Sequence, residues 1–547
     1  MKSEKWMPQV MLRALVCAVL CALAASSLAA QTYQNLYDFS CSGIQGCFPD
    51  TDQLAQGKDG NLYGTTSSGG SYGVGTIFMV TPSGTYTDLV EFNGTNGSEP
   101  SAGLTLASDG NFYGAAFFGG KDGFGTLFRF TPPSTLKVLH SFSAGSDGWS
   151  PTAPPIEAKD GNLYGLTFPG TPYRVTLPAG KYGSLGTDTP GKPGSDRLLL
   201  ASDGNLYGNT QNGGNSNMGT VFQMITTTGA ITPIYQFSGL DGDSPSGALV
   251  EETDGYLYGT TTLGGANNTG EVFKMTLSGN MVFEYSFDSD INGTNTDGAY
   301  PTGVTAGFFG YLYGVNFSGG TDGAGTLFEI TESEIFTPLF DFTGGGPVDG
   351  GSPYTTLLRH TNGNYYGLTF LGGAGNGNFY SLTPPNPLIS LIIEGPVFVA
   401  PGVAVEFLGN ELTQTIQVEF AGVPAQFQIG SDTYLTVQVP MAAIDGPVTA
   451  TLATGLQLQT LESIHILPLI TNLDPPSGAV GTQVGIVGGG FAGATEVSFG
   501  GVAAANFTVV GPTLIQAIVP TGAETGAVTV ITPNGTAASK QKFRVKK

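Results

Sequence analysis

Apolar residues in this chain come in short bursts bounded by glycine, proline, asparagine and aspartate. That pattern predicts brief β-strands joined by tight turns. One unit recurs. The phrase Asp-Gly-Asn-Leu-Tyr-Gly begins at Asp59, Asp160 and Asp203, with variants at Asp109, Asp254, Phe309 and Asn362, so seven copies lie 50, 51, 43, 51, 55 and 53 residues apart. Each copy opens with a short apolar strand, such as residues 104–108 or 198–202. The Asp-Gly pair then supplies a hairpin turn in which glycine takes up the positive φ. Leu-Tyr-Gly starts the return strand, paired glycines follow, and a Gly-Thr-apolar-Phe strand begins at Gly75, Gly125, Gly219 and Gly325. A fourth, alternating strand ends in an aromatic residue (Phe92, Phe142, Phe237, Phe287, Phe342), and a loop with a proline (Pro100, Pro151, Pro245, Pro301, Pro353) leads on.

Four short strands in each unit of about fifty residues fit a β-propeller over residues 31–384 better than a stacked solenoid. Residues 33–39 look like a fourth strand with no unit before it, and they are followed by Pro49. The seventh copy has three strands and then runs into prolines at 384, 385 and 387. An N-terminal strand that completes the last unit leaves no open sheet edge, whereas a solenoid has no use for it. The expectation is all-β: a seven-bladed β-propeller closed by an N-terminal strand, followed by two Ig-like β-sandwich domains. The third copy lacks the glycine pair and the Gly-Thr-apolar-Phe strand, and residues 178–195 are irregular, so a distorted blade is expected there.

The repeated phrases resemble the GloVer-type Gly-rich tandem repeats of exported bacterial proteins, over residues 33–384. The resemblance implies the architecture and brings no catalytic residues or ligand. Residues 468–547 are similar to the IPT/TIG immunoglobulin-like domain, through Pro476-Ser477-Gly478, Gly481-Thr482-Gln483-Val484 and Gly488-Gly489-Gly490-Phe491. Residues 385–467 look like a degenerate copy, with Asn410 and Glu411 where the second glycine and the aromatic are expected. Such domains imply spacers or protein-contact modules.

Composition adds an address. Lys2, Lys5 and Arg13 precede an apolar run over 14–25 and a small-residue zone over 26–30. This reads as a signal peptide, residues 1–30, cleaved near Ala30/Gln31 and too short to span a membrane. The expected protein is secreted or held at the bacterial cell surface, monomeric, with no membrane insertion after cleavage. Of four cysteines only Cys41 and Cys47 lie beyond the leader, and in an oxidising compartment they are expected to pair. The formal net charge of −23 argues against nucleic acid as a partner. With 85 glycines and only 11% charged residues, the chain is turn-rich, while 40% hydrophobic content excludes disorder.

Chemistry is sparse. His140, His360 and His465 have no zinc spacing, and neither a Gly-x-Ser-x-Gly elbow nor a phosphate loop occurs. No cofactor is expected, with calcium at the Asp-Gly turns as the one ion left open; those aspartates more simply brace their own turns. First strands line a propeller's channel, and three residues before each turn stand Gln56, Leu106, Glu157, Leu200, Glu251, Ala306 and Arg359. Glu157, Glu251, Arg359 and the adjacent His360 are therefore the candidate ligand-binding residues, for a polysaccharide or an extracellular protein. The preferred reading is a non-enzymatic binding or adhesion protein. A carbohydrate-active hydrolase or lyase using channel carboxylates and a structural envelope protein are the alternatives.

Overall fold

The computed structural model describes residues 31–546 except 50–52, 101, 169, 187–188, 190, 192–196, 290–294, 332, 345–348, 373–374 and 386. The signal-peptide reading therefore lies outside the described residues. The chain is all-β. Two short 3-10 turns, Phe308–Gly310 and Leu412–Gln414, are the only helical segments among the described residues.

Seven antiparallel sheets follow one another along the repeats. The first contains Ala55–Gln56, Leu62–Thr66, Thr76–Val80 and Tyr86–Glu91, in that order. The second, fourth, fifth and sixth sheets repeat this order. The third also has four strand positions, despite its irregular sequence. Asn162–Phe168 pairs with Pro172–Thr176, which pairs with Lys181–Ser184, and Tyr173 stands where the seventh copy has Tyr380 and the remaining copies phenylalanine. In the seventh, Tyr365–Leu371 and Asn378–Thr383 are followed by Thr32–Asp38 from the other end of the chain, antiparallel to Asn378–Thr383.

The second strands of the sheets are buried on both faces, while fourth strands such as Tyr86–Glu91 are partly exposed. Their cores lie between sheets. One cluster joins Tyr63 and Ile77 of the first sheet to Phe112 and Phe128 of the second. Equivalent clusters join each later pair, and another joins Leu62 and Phe78 of the first sheet to Tyr366 and Phe379 of the seventh.

The joints between sheets explain part of the glycine pattern. Gly75, Gly125, Gly219, Gly270, Gly325 and Gly377 all have φ between +92° and +101°. A Cβ on Gly75 would fall 2.2 Å from the Thr66 carbonyl oxygen and 2.6 Å from Pro100 Cδ of the next sheet. On Gly377 it would fall 2.4 Å from the Thr369 oxygen and 3.1 Å from Pro49 Cδ. The Gly75 carbonyl accepts the Phe92 N–H at 3.0 Å, and the Gly377 carbonyl accepts that of Phe39 at 2.9 Å. So the last and first sheets meet through the joint that the other neighbours use. Cys41 and Cys47, in the loop after this first strand, are disulfide-bonded.

Two four-stranded sheets form each C-terminal sandwich. In one, Ile392–Ile393, Ala404–Leu408, Tyr434–Gln438 and Gln426–Ile429 face Val423–Pro424, Thr415–Phe420, Val448–Leu452 and Gln457–Gln459. The second, beginning at Leu469–Asp474, repeats that order, and each sandwich encloses its own apolar core. Its end is tied in, since Arg544–Val545 pairs with Ser477–Gly478.

Candidate functional site: an aromatic cleft beside Phe309

The charged residues at the ends of the first strands are mostly joined to neighbouring sheets. Glu157 is buried, and its carboxylate accepts the Ser108 N–H at 2.7 Å and the Ser108 hydroxyl at 2.6 Å. Burial pushes its pKa up, and the two serine hydrogen bonds oppose that shift. Glu251 grips Ser202 in the same way, one N–H and one hydroxyl. Gln56 does the equivalent for Thr361, accepting its N–H at 3.1 Å and donating to its hydroxyl at 2.8 Å. The residue before one turn is thus stapled by the residue three before the next turn, a pairing invisible until the sheets are stacked. His360 is buried, with Nε2 donating to the Gly60 carbonyl and Nδ1 accepting the Asn362 N–H, both at 3.0 Å. Burial lowers its pKa, so it stays neutral. Of the four sequence candidates, only Arg359 borders the cleft described next.

The turn aspartates are equally committed. Asp59 accepts the Asn61 N–H at 3.1 Å and the Tyr63 hydroxyl at 2.9 Å. Asp109, Asp160, Asp203 and Asp254 each hold the tyrosine four residues on at 2.8 Å. Among the described residues no group of three or more His, Cys, Asp or Glu is arranged to hold a metal ion.

The sixth copy breaks this rule. Phe309 replaces the aspartate, with φ +60° and 83% exposure. A bulky residue in the left-handed region is an outlier of the kind that clusters at functional sites. Deprived of its aspartate, Tyr313 stands opposite Glu329, its cross-strand partner. Burial raises the Glu329 pKa, and the neighbouring Tyr313 hydroxyl opposes that shift. At the preceding position Phe308 replaces the usual small or basic residue, and the Arg359 guanidinium lies 5.2 Å from the centre of its ring. Together Phe308, Phe309, Tyr311, Tyr313, Tyr365, Glu329 and Arg359 line a cleft of about 350 Å³, bordered by Pro384, Pro385 and Leu388. The sequence reading missed Phe308, Phe309 and Glu329. The signal was the phenylalanine in an aspartate position, visible once seven copies are aligned.

The first sandwich is bound to the same face of the repeats. Lys58 is ion-paired with Glu406 and, at 3.3 Å, with Glu394. Lys159 lies 5.8 Å from the Phe398 ring centre. The Thr433 hydroxyl donates to the Lys58 carbonyl at 2.5 Å, and the Ser390 N–H to that of Thr361 at 3.1 Å. Burial, then the neighbouring Glu406, pushes the Glu394 pKa up to about 8. Burial also acts on Glu406, but Lys58 and the hydrogen bond with Glu394 together outweigh it and hold this partner below the ordinary value. Inside this lid, the first strands of six sheets bound a second cavity of about 330 Å³, which Glu251, Arg359 and Glu394 also touch.

No curated protein matches the sequence. Loosely similar solved structures include a fungal alcohol oxidase of the AA5 family in complex with copper, 14% identical with a TM-score of 0.45, the match covering 75% of this chain and 96% of that one. Another is PorZ, a bacterial surface component of the type-IX secretion system of Porphyromonas gingivalis, 12% identical, TM-score 0.42, covering 78% and 61%. SGBP-B from a xyloglucan utilization locus in Bacteroides uniformis is 16% identical over 28% of this chain and 48% of its own, with a TM-score of 0.16. Likenesses this loose carry no functional argument. The family comparison is direct: the Gloeobacter/Verrucomicrobia repeat matches residues 22–177 and 169–295, and the IPT/TIG domain matches residues 468–545. The chain belongs to the Gloeobacter/Verrucomicrobia repeat family and ends in an IPT/TIG domain.

Proposed function

We propose that this is an exported surface protein that binds a polysaccharide in the cleft beside Phe309. In this reading residues 1–30 are a leader removed near Ala30/Gln31. Residues 31–384 form a seven-bladed propeller closed by the strand Thr32–Asp38. Residues 385–467 and 468–547 are the two Ig-like domains, the first a brace and the second the outward module. The Gly377–Pro49 joint and the shared core of the first and seventh sheets support closure. Exported sugar binders need aromatic faces for stacking together with a few fixed polar groups, and the cleft supplies both. That combination carries the proposal. Because Glu157 and Glu251 are each held by a serine, binding is favoured over hydrolysis by those carboxylates.

The test is affinity electrophoresis of the purified mature protein against a panel of neutral and acidic polysaccharides. Retention without product release is expected, and Phe309→Ala should weaken it about tenfold. An exposed side chain contributes little to folding, so the melting temperature should not move. Retention unaffected by Phe309→Ala would overturn the site. A protein that no polysaccharide retards would overturn the function and leave a structural envelope role. Soluble products would support the hydrolase or lyase.

A further inference from the structure

The cleft beside Phe309 contains both a hydrogen-bond donor and an acceptor next to an exposed ring, and its charge is unfavourable to anions. Arg359 is only 9% exposed and is held from two sides, by the Phe308 ring and by Glu462, whose Oε1 accepts from Nη2 at 3.2 Å. Its Nη1 is buried and has no hydrogen-bond partner among the described residues. A buried polar group left in that condition is destabilising, and a ligand oxygen at Nη1 would recover that loss. Glu329 supplies the complementary acceptor. Its carboxyl lines the cleft and has lone pairs for ligand hydroxyls.

Charge then discriminates between glycans. The positive charge of Arg359 is already matched by Glu462, so Glu329 leaves the cleft with an excess negative charge. The protein's net charge of −23 has the same sign. Its distant part is screened beyond about 8 Å at physiological salt, so Glu329, the carboxyl that lines the cleft, dominates. Like charges brought together in a binding site repel and weaken binding.

We infer that the cleft selects an uncharged glycan, stacking the C–H face of a sugar ring on Phe309 while Arg359 and Glu329 hydrogen-bond its hydroxyls, and that it rejects chains of uronate. The inference rests on the glycan-binding reading above and adds its ligand class. Arg359 and Glu329 become the specificity residues, and Glu462 a positioning residue for Arg359.

The deciding experiment is calorimetric titration of the full mature protein with a β-1,4-linked glucose oligosaccharide and with its C6-oxidised counterpart, which differ only in the carboxylate. Matched neutral and oxidised galactan and mannan oligosaccharides are run beside them. For the sugar that binds, the neutral form should bind at least about tenfold more tightly. Arg359→Met should weaken neutral binding about tenfold, and Glu329→Gln should narrow the neutral-to-oxidised ratio to about threefold. The wild-type ratio decides the matter even where a variant is poorly folded. An oxidised form that binds as well as or better than its neutral partner overturns the selectivity and leaves the glycan-binding reading intact. If no neutral or oxidised sugar of the series binds, both fall together.

Discussion

Phe39 offers the sharpest test of how the two ends of the repeat array are joined. It is fully buried and packs at 5.5 Å against Phe78 of the first sheet, within the cluster that also holds Tyr366 and Phe379 of the seventh. Phe92 occupies the corresponding place one unit later, fully buried and 5.3 Å from Phe128. Phe237 repeats it 5.4 Å from Phe273. Deleting a buried phenylalanine ring removes its transfer free energy and leaves a cavity, together about 3–5 kcal/mol. If Thr32–Asp38 is an integral strand of the seventh sheet, Phe39→Ala and Phe92→Ala should cost the same within about 1 kcal/mol. Urea denaturation followed by tryptophan fluorescence measures this, because Trp149, the only tryptophan among the described residues, lies in the third sheet and reports on the repeats rather than the sandwiches. The denaturant slope should not change, since both variants expose the same surface on unfolding. A cost below about 1 kcal/mol for Phe39→Ala, beside the full cost for Phe92→Ala, would refute closure by this strand.

The staples give a second prediction: Glu157→Ala and Glu251→Ala should each destabilise the repeats by about 1.5–3 kcal/mol, through loss of hydrogen bonds to a charged acceptor, in the same urea assay. Polysaccharide retention should stay unchanged, and a loss of retention with an unaltered denaturation midpoint would restore these residues as ligand-binding groups. The Lys58–Glu394–Glu406 contact predicts a pH dependence. The Glu394 pKa is raised from 4.5 to about 8 in the folded state, so between those values the native protein holds a proton that the unfolded chain releases. Its contribution therefore falls as pH rises from about 4.5 to about 8 and is flat above. Glu406, with a lowered pKa, acts oppositely at the acid end, where its contribution is lost as pH falls. Glu394→Gln should flatten the decline toward pH 8 in thermal melts, and an unchanged profile would show that the carboxyl does not titrate there.

The repeat was legible because each unit reuses the same local devices, and those write themselves into sequence. Turn glycines, the prolines that meet Gly75 and its equivalents, and the aromatic ends of fourth strands all sit at fixed offsets. The third sheet was less legible. Tyr173 substitutes for the expected phenylalanine and its strand lacks the Gly-Thr opening, yet the backbone still pairs Asn162–Phe168 with Pro172–Thr176. Pairing needs an alternating apolar face more than a particular phrase. The candidate residues fared differently because a side chain's partner across a sheet joint cannot be read along the chain. Glu157 and Glu251 stand out as charges at the ends of first strands, but Ser108 and Ser202, which absorb them, lie 49 residues upstream.

The cleft shows why a symmetric array needs a departure to acquire a site. In five copies the turn aspartate accepts the hydroxyl of the tyrosine four residues on, which ties it to its own hairpin. Replacing that aspartate by Phe309 exposes an aromatic ring and leaves Tyr313 opposite Glu329 across the strand pair. The next copy supplies Arg359, where Gln56, Glu157 and Glu251 elsewhere staple adjacent sheets. With Phe308 before the sixth turn there is no hydroxyl for Arg359 to grip, so the guanidinium lies over that ring and turns to Glu462 of the docked sandwich. The substitutions in the sixth and seventh copies thus form one unit: each alone would leave a turn or a joint without its partner, and together they exchange two structural contacts for a lined cleft.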